Sequence, residues 1–323
     1  MRPHTVIVDG HHLLYRAYWA IPRTMKTRAG EQVNTTFGMA TMLLMILKTE
    51  APDHILFCFD ADEDTFRHEE YKEYKEGRAE TPDDFYIQIP RALELIDTFG
   101  IRSISGQKME ADDFAATYAT EIAKQGGRVT IVTGDRDLLQ LASDDIRIAI
   151  PHKGYQAPEY MTPEAVKTKY GVAPTQIPSY KGLVGDSSDN LPGVHGIGPI
   201  AASKLIQEFG SIAGIFDNLE KVKPSWKEKL VASREKAFFS ERMATLRTDA
   251  PILVPIEDLR LHIDAARVLT LFQQLEFSLP RRRLESLMMT PWGNRCIHGE
   301  ASASLLTSAQ KIEANPEVQM SLL

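Results

Sequence analysis

Residues 129–137 read Val-Thr-Ile-Val-Thr-Gly-Asp-Arg-Asp: a β-branched run, a Thr133-Gly134 turn, then Asp135 and Asp137. Such a run predicts a buried strand. Two more stretches share the build. Thr5-Val6-Ile7-Val8 ends at Asp9, and Ile55-Leu56-Phe57-Cys58-Phe59 runs into Asp60. Helical patterns lie between them at Thr36 to Lys48, Pro90 to Phe99 and Asp112 to Lys124. The alternation predicts an α/β fold with a mostly parallel central sheet flanked by helices. Ligands of open α/β sheets bind beyond the carboxyl ends of the strands, so Asp9, Asp60 and Asp135 are expected to converge. Each alone could simply cap the next helix. Three at once favour a site.

Further carboxylates join them. Glu110, Asp112 and Asp113 open a helix, where the positive helix end favours acids. Asp137 follows Asp135 by two residues, and Asp186 and Asp189 lie in Gly-Asp-Ser-Ser-Asp-Asn. Crowded carboxylates repel one another and raise their own pKa values. Divalent ions relieve the repulsion, and oxygen-only donors suit Mg²⁺ or Mn²⁺ better than zinc. Two such ions about 4 Å apart can activate water and stabilise an oxygen leaving phosphorus. No Ser-His-Asp or Cys-His pattern competes, and neither His11 nor His12 has a zinc-type spacing.

Composition sets the outer bounds. The chain has 323 residues, 43% of them apolar, enough for one large or two ordinary domains. Two cysteines, Cys58 and Cys296, cannot build a disulfide framework, and a reducing cytosol fits best. Asp9 stands where a signal peptide needs an apolar run. The longest apolar stretch, Phe37 to Leu47, is half a membrane span, so a cytoplasmic location with no membrane partner is expected. The net charge of −7 speaks against nucleic acid at first sight. Setting aside the nine clustered carboxylates leaves 35 acids against 37 bases. The acidity is therefore largely that of the cluster, and any phosphate binding must come from local stripes.

Two stripes stand out. On a continuous helix after Asp60, Arg67, Tyr71, Tyr74, Lys75 and Arg78 share one side, with Glu69, Glu73, Glu76 and Glu80 opposite. A basic and aromatic stripe suits single-stranded nucleic acid; a solvated helix held by Glu–Lys pairs is the equal alternative. A second basic stretch after Asp9 carries Arg16, Arg23, Lys26 and Arg28 with no acid before Glu31. Asn190-Leu-Pro-Gly-Val-His-Gly-Ile-Gly198 then precedes a helical run from Ala201 to Phe209. It lacks the Lys-Ser/Thr of an ATP loop and follows no strand. A helix–hairpin–helix contact to a duplex backbone fits better than a plain capping turn.

Taken in order, these motifs resemble the 5′ nuclease (flap endonuclease) family, and most closely the 5′–3′ exonuclease domain of bacterial DNA polymerase I and its stand-alone relatives. The match runs over about residues 4 to 290: Val-Asp9-Gly with Arg16, Phe-Asp60 with Arg67, Lys75 and Arg78, Glu110-Ala-Asp-Asp113, Thr-Gly-Asp135-Arg-Asp137, and Gly-Asp186-Ser-Ser-Asp189-Asn-Leu-Pro-Gly-Val. The resemblance implies a PIN-like nuclease core over residues 1–180, with a helical arch at about 62–88. A helical region with the helix–hairpin–helix follows at 181–290; beyond the resemblance, residues 291–323, rich in Ser, Ala and Asn with little periodicity, read as a poorly ordered tail. The resemblance implies a monomeric enzyme that cleaves DNA at 5′ flaps or free 5′ ends, with RNA–DNA primer ends as further substrates. By resemblance, Asp9, Asp60, Glu110 and Asp112 serve one divalent ion, and Asp113, Asp135, Asp137, Asp186 and Asp189 a second. Lys75 and Arg78 act at the scissile phosphate, Tyr74 stacks, and Arg16 contacts phosphate. Gly193, Gly196 and Gly198 form the duplex-binding turn and hold a K⁺ ion. The family's usual Gly-Pro-Lys-Thr-Ala is here Gly198-Pro-Ile200-Ala-Ala202, so Lys204 is left as a partial substitute for the missing base. The rivals are a non-catalytic DNA-junction-binding module and an RNase with the same acidic core. Retention of all nine carboxylates argues against the first, and the arch and glycine turn against the second.

Overall fold

The computed structural model describes residues 2–61, 64–77, 81–106 and 108–298. A six-stranded sheet runs through its centre: β1 (His4–Asp9), β2 (His54–Cys58), β3 (Arg102–Ile104), β4 (Arg128–Val132), β5 (Ile146–Ile150) and β6 (Glu159–Met161). The spatial order is β3-β2-β1-β4-β5-β6, parallel up to β5, with β6 antiparallel at the edge. The three strands expected from sequence are its centre. β3, β5 and β6 were not anticipated, and neither was the short pair β7 (Ile263–Asp264) and β8 (Ile297–His298).

The order reverses between β1 and β4, so the switch-point crevice of the sheet opens beside Asp9 and the turn after β4. Side chains of β1 alternate as pleating demands. Val6 and Val8 join a core with the helices Gly10–Ala20, Asn34–Glu50 and Ile89–Thr98. Ile7 faces the opposite core, where Ala111–Lys124 packs with the C-terminal helices. Those helices run from Pro163–Tyr170, capped by Thr162, through Ile177–Val184 and Pro199–Phe209 to Arg234–Ala244. Ala265–Gln274 and Ser278–Met288 then return to the first face through Val268, Phe272 and Leu284. Among the described residues no helix is long and apolar enough to cross a membrane.

Two expectations need correction here. Residues 64–77 do not form one helix. Helix Phe66–Glu70 stops at Tyr71, and Lys75 takes a left-handed φ of 58°. Contacts distant in sequence redirect the chain: Asn190 Nδ2 donates to the Glu73 carbonyl (2.8 Å), and Lys75 N–H to the Asp189 carbonyl (3.3 Å). The tail is also shorter than expected. Trp292 is buried and donates its indole N–H to the Pro52 carbonyl (2.8 Å), while β8 pairs with β7. Burial of one large aromatic outweighs the polar character of its neighbours. Residues 299–323 lie outside the described part of the chain.

Candidate active site

The strand ends carry out what the sequence implied. Asp9 leaves β1 as the N-cap of Gly10–Ala20, its Oδ1 accepting the His12 N–H at 3.0 Å. Its Oδ2 accepts from Thr133 Oγ1 (2.9 Å), and the same hydroxyl accepts the Asp135 N–H (2.9 Å). Thr133 thus ties the β1 and β4 aspartates together across the switch point. Asp135 Oδ1 in turn accepts the Asp137 N–H (2.7 Å). Asp60, just past β2, accepts the Ala111 N–H at 2.9 Å, a donor at the start of the helix that carries Asp112. Both readings of these aspartates hold together: Asp9 caps its helix and also belongs to the site.

Asp9, Asp60, Asp112, Asp135 and Asp186 line one cleft of about 890 Å³, together with Lys75, Lys181 and His12. Glu110, Asp137 and Asp189 are buried. The acids feel one another. Burial raises the Asp9 carboxyl to about 7 against the His12 N–H bond, and the charges of Asp60 and Asp135 add to the rise. Burial, then Asp135, Asp9 and Asp60, hold Asp112 well above the usual carboxylate range. Burial also lifts Asp137 to about 7, opposed by Lys181 and reinforced by Asp135. Asp189 is raised by burial and then by Asp135. Asp135 is the charge common to all four.

Two lysines partly balance this field. Lys75 Nζ lies 2.9 Å from Glu110 Oε1. Lys181 was not anticipated as a site residue. It is 8% exposed and bridges Asp137 and Asp186, with Nζ 2.6 Å from Asp186 Oδ2. Burial works against its charge, but Asp137, Asp135 and Asp186 hold its pKa above the ordinary value. Its only sequence signal was a basic residue five positions before Asp186, near the end of Ile177–Val184. His12 is kept neutral, lowered to about 4 by burial and by Arg16. Its ring fills the space at Gly134, where an added Cβ would stand 2.0 Å from it.

Several expected site residues are placed otherwise. Arg67 is 1% exposed and does not face solvent. Its Nη1 and Nη2 fork onto Asp113 (2.7 and 2.9 Å), and Nη1 also reaches Glu110 (3.0 Å). Nε donates to the Met243 carbonyl (3.0 Å) and Nη2 to that of Thr245 (3.2 Å). Asp113 is fully buried in this clamp and also accepts the Arg247 N–H (2.9 Å), so three protein donors already hold its carboxylate. Tyr74 is 5% exposed, its hydroxyl 3.3 Å from Glu110, so it does not offer a ring for stacking. Tyr71 is half-buried, packs on Phe239 and donates to the Asn190 carbonyl. The stripe fails because buried acids outcompete solvent for Arg67. Arg16 is half-buried with its Nε buried and unpartnered, while Lys204 is exposed on Pro199–Phe209. Arg78 lies outside the described residues.

The donors fit hard cations. All are oxygens, and Asp112 Oδ1 is buried with no hydrogen-bond partner, a demand that a cation meets. Among the described residues no three of these side chains are drawn close enough to hold one ion. Lys75 and Lys181 stand among them instead.

Comparison with known proteins agrees with this geometry. Residues 4–171 match the family model for the 5′–3′ exonuclease N-terminal resolvase-like domain, and residues 172–267 that for its C-terminal SAM fold. DNA polymerase I of Bacillus subtilis is 41% identical over 285 residues, covering 88% of this chain and 32% of that protein. The thermostable DNA polymerase I of Thermus thermophilus is 44% identical over 250 residues, 77% of this chain and 29% of that protein. The chain thus spans about a third of the length of these curated relatives. Among solved structures, the T5 D15 protein co-crystallised with metal ions superposes with a TM-score of 0.65 at 22% identity, covering 84% of this chain and 98% of that one. The catalytic core of Rad2 in complex with DNA substrate gives 0.55 at 17% identity, covering 89% and 92%. These two likenesses show the fold. With both halves of the family model matched in order, the chain belongs to the 5′–3′ exonuclease family.

Proposed function

We propose that the chain is a divalent-metal-dependent hydrolase that cuts phosphodiesters at DNA 5′ ends and flap junctions, RNA–DNA primer ends included, working as a monomer in the cytosol. The observation that carries this reading is the cleft itself. Four aspartates from three strand ends and one helix start share it, and Asp112 Oδ1 is buried without a partner. Asp9, Asp60, Glu110 and Asp112 would hold one ion, and Asp135, Asp137, Asp186 and Asp189 the other. Bound Mg²⁺ or Mn²⁺ supplies Lewis acidity to phosphorus-bound oxygens and lowers the pKa of water. Lys181, which bridges Asp137 and Asp186, would have to give up these partners for the second set to hold an ion. Lys75, at the cleft wall, offsets charge that develops on the phosphoryl oxygens, and Arg78 assists it. Arg16 and Lys204 contact backbone phosphates. The glycine turn holds the duplex and could hold K⁺ through its carbonyls, of which that of Gly196 already accepts from Lys229 Nζ (3.0 Å).

A 5′-labelled flap substrate tests the reading. Labelled oligonucleotide should be released with Mg²⁺ and not with EDTA. Junction binding without any metal-dependent product would instead make this a non-catalytic module.

The site also predicts a pH-dependent stability. Asp9 and Asp137 bind protons more tightly folded than unfolded, with folded values of about 7. Their contribution is full below the unfolded value near 3.8 and is lost as pH rises through about 7. In EDTA the melting temperature should therefore fall between pH 5 and pH 8 by several degrees. Ca²⁺ or Mg²⁺ should reverse much of the fall at pH 8, because the ions bind the ionised form. A metal-free melting temperature that climbs over this range would contradict the repulsion described above.

A further inference from the structure

The tip of the glycine turn, His195 and Gly196, is exposed. Its carbonyls are taken up in different ways. Val194 accepts the Ile197 N–H (3.0 Å) and Gly198 the Ala202 N–H (3.0 Å). The Gly196 carbonyl instead receives Lys229 Nζ at 3.0 Å, from a helix 33 residues further on. Gly196 has φ +78°, and a Cβ there would stand 2.8 Å from Lys229 Nζ and 3.0 Å from its Cε. The lysine lies along the turn, and a side chain at position 196 would push its tip aside. Its position is fixed from behind, since the next residue, Leu230, is fully buried in the second core.

We propose that the Lys229 ammonium is a tethered cation of the glycine turn: anchored on the Gly196 carbonyl, it presents its charge to a phosphate of the bound duplex. The inference rests on the DNA-binding reading above. An ammonium carries three donors, and among the described residues one goes to Gly196 and the other two have no protein acceptor. Lys229 itself is exposed, so those donors reach solvent and ligand. The need for such a charge is local. Ile200, in the first turn of Pro199–Phe209, is 75% exposed and offers no cation where the duplex would pass. An alkali ion on the same carbonyl would bring equal charge, but it must be recruited from solution and shed part of its hydration. A lysine on a helix anchored by Leu230 is already in place. Duplex binding by this chain should then be indifferent to which alkali ion is present.

Lys229→Gln tests this in the full chain, because the amide can still donate to Gly196 while the charge is gone. Binding of a labelled duplex hairpin is followed by anisotropy in EDTA, where no cleavage occurs, across a salt series in LiCl and in KCl. Wild type should bind equally in the two salts. Lys229→Gln should bind about tenfold more weakly, with the slope of log K against log salt smaller by about one. Lys229→Arg should restore both. Unchanged affinity and slope in Lys229→Gln, or a wild-type preference for K⁺ over Li⁺, would overturn the proposal. Lys229→Met checks the anchoring half: its affinity should recover partly in KCl and not in LiCl, and equal loss in both salts counts against the shared carbonyl. Failure of the wild type to bind duplex would refute the DNA reading itself, whereas binding and flap cleavage with an indifferent Lys229→Gln would refute this inference alone.

Discussion

Asp135→Ala should lose at least about 10³-fold in flap-cleavage rate while melting at a higher temperature than wild type in EDTA at pH 8. The two effects share one cause. Burial is the main cause that raises Asp9, Asp112, Asp137 and Asp189, and the charge of Asp135 adds to the rise in each of them. Removing it relieves repulsion in the metal-free cleft, so their carboxyls should titrate lower and the fold should hold better at alkaline pH. The backbone loses little. Thr133 Oγ1 still accepts the residue-135 N–H and donates to Asp9, and only the bond from the Asp137 N–H goes. The same deletion takes away a central oxygen donor for the cations that the proposed reaction needs. Cleavage within tenfold of wild type would sink the mechanism. A lower metal-free melting temperature would instead sink the account of the cleft as a strained acidic cluster. The two measurements fail independently.

Arg67→Met should cost about 3–5 kcal/mol of folding stability, the expectation when one partner of a buried ion pair is removed and the other stays charged. Arg67 joins three parts of the molecule at once: the segment after β2, the acids opening Ala111–Lys124, and the end of Arg234–Ala244. Asp113, fully buried, would keep the Arg247 N–H and lose its fork. Arg67→Lys should recover only part of the loss, because a point-charge ammonium cannot serve two carboxylates and two carbonyls. The double change Arg67→Met with Asp113→Leu should regain more than half of what Arg67→Met loses, since the stranded charge is gone. Denaturant unfolding reads all three. A loss below about 1 kcal/mol for Arg67→Met would show the clamp to be dispensable, and a double variant no better than the single would show that stranded charge is not its cause.

The site was more legible in the sequence than the surface around it, and the reasons are physical. Asp9, Asp60 and Asp135 could be placed because parallel strands bring their carboxyl ends to one edge whatever intervenes. The helix opening at Glu110 was legible from its acids. β5 is less legible, because Arg147 interrupts its short Ile-Arg-Ile-Ala-Ile run with a charge. β3 is three residues long and mostly exposed, too short to carry a pattern of its own. The Arg67–Arg78 stripe failed for a different reason: helical spacing was sound arithmetic for a helix that ends at Glu70.

By itself, then, the sequence determined the sheet's central strands, the convergence of acids at their ends, and the family, because these depend on local β-propensity and on a topology that short right-handed connections impose. Which acids stay available was decided only by tertiary structure. Asp113 and Arg67 vanish into a clamp, Lys181 enters the cleft, Lys229 reaches the Gly196 carbonyl, and Trp292 orders what looked like tail. Each of these is a contact between residues far apart in the chain. A buried charge takes the nearest partner that folding delivers, whatever its sequence neighbours are, and no local spacing records that choice.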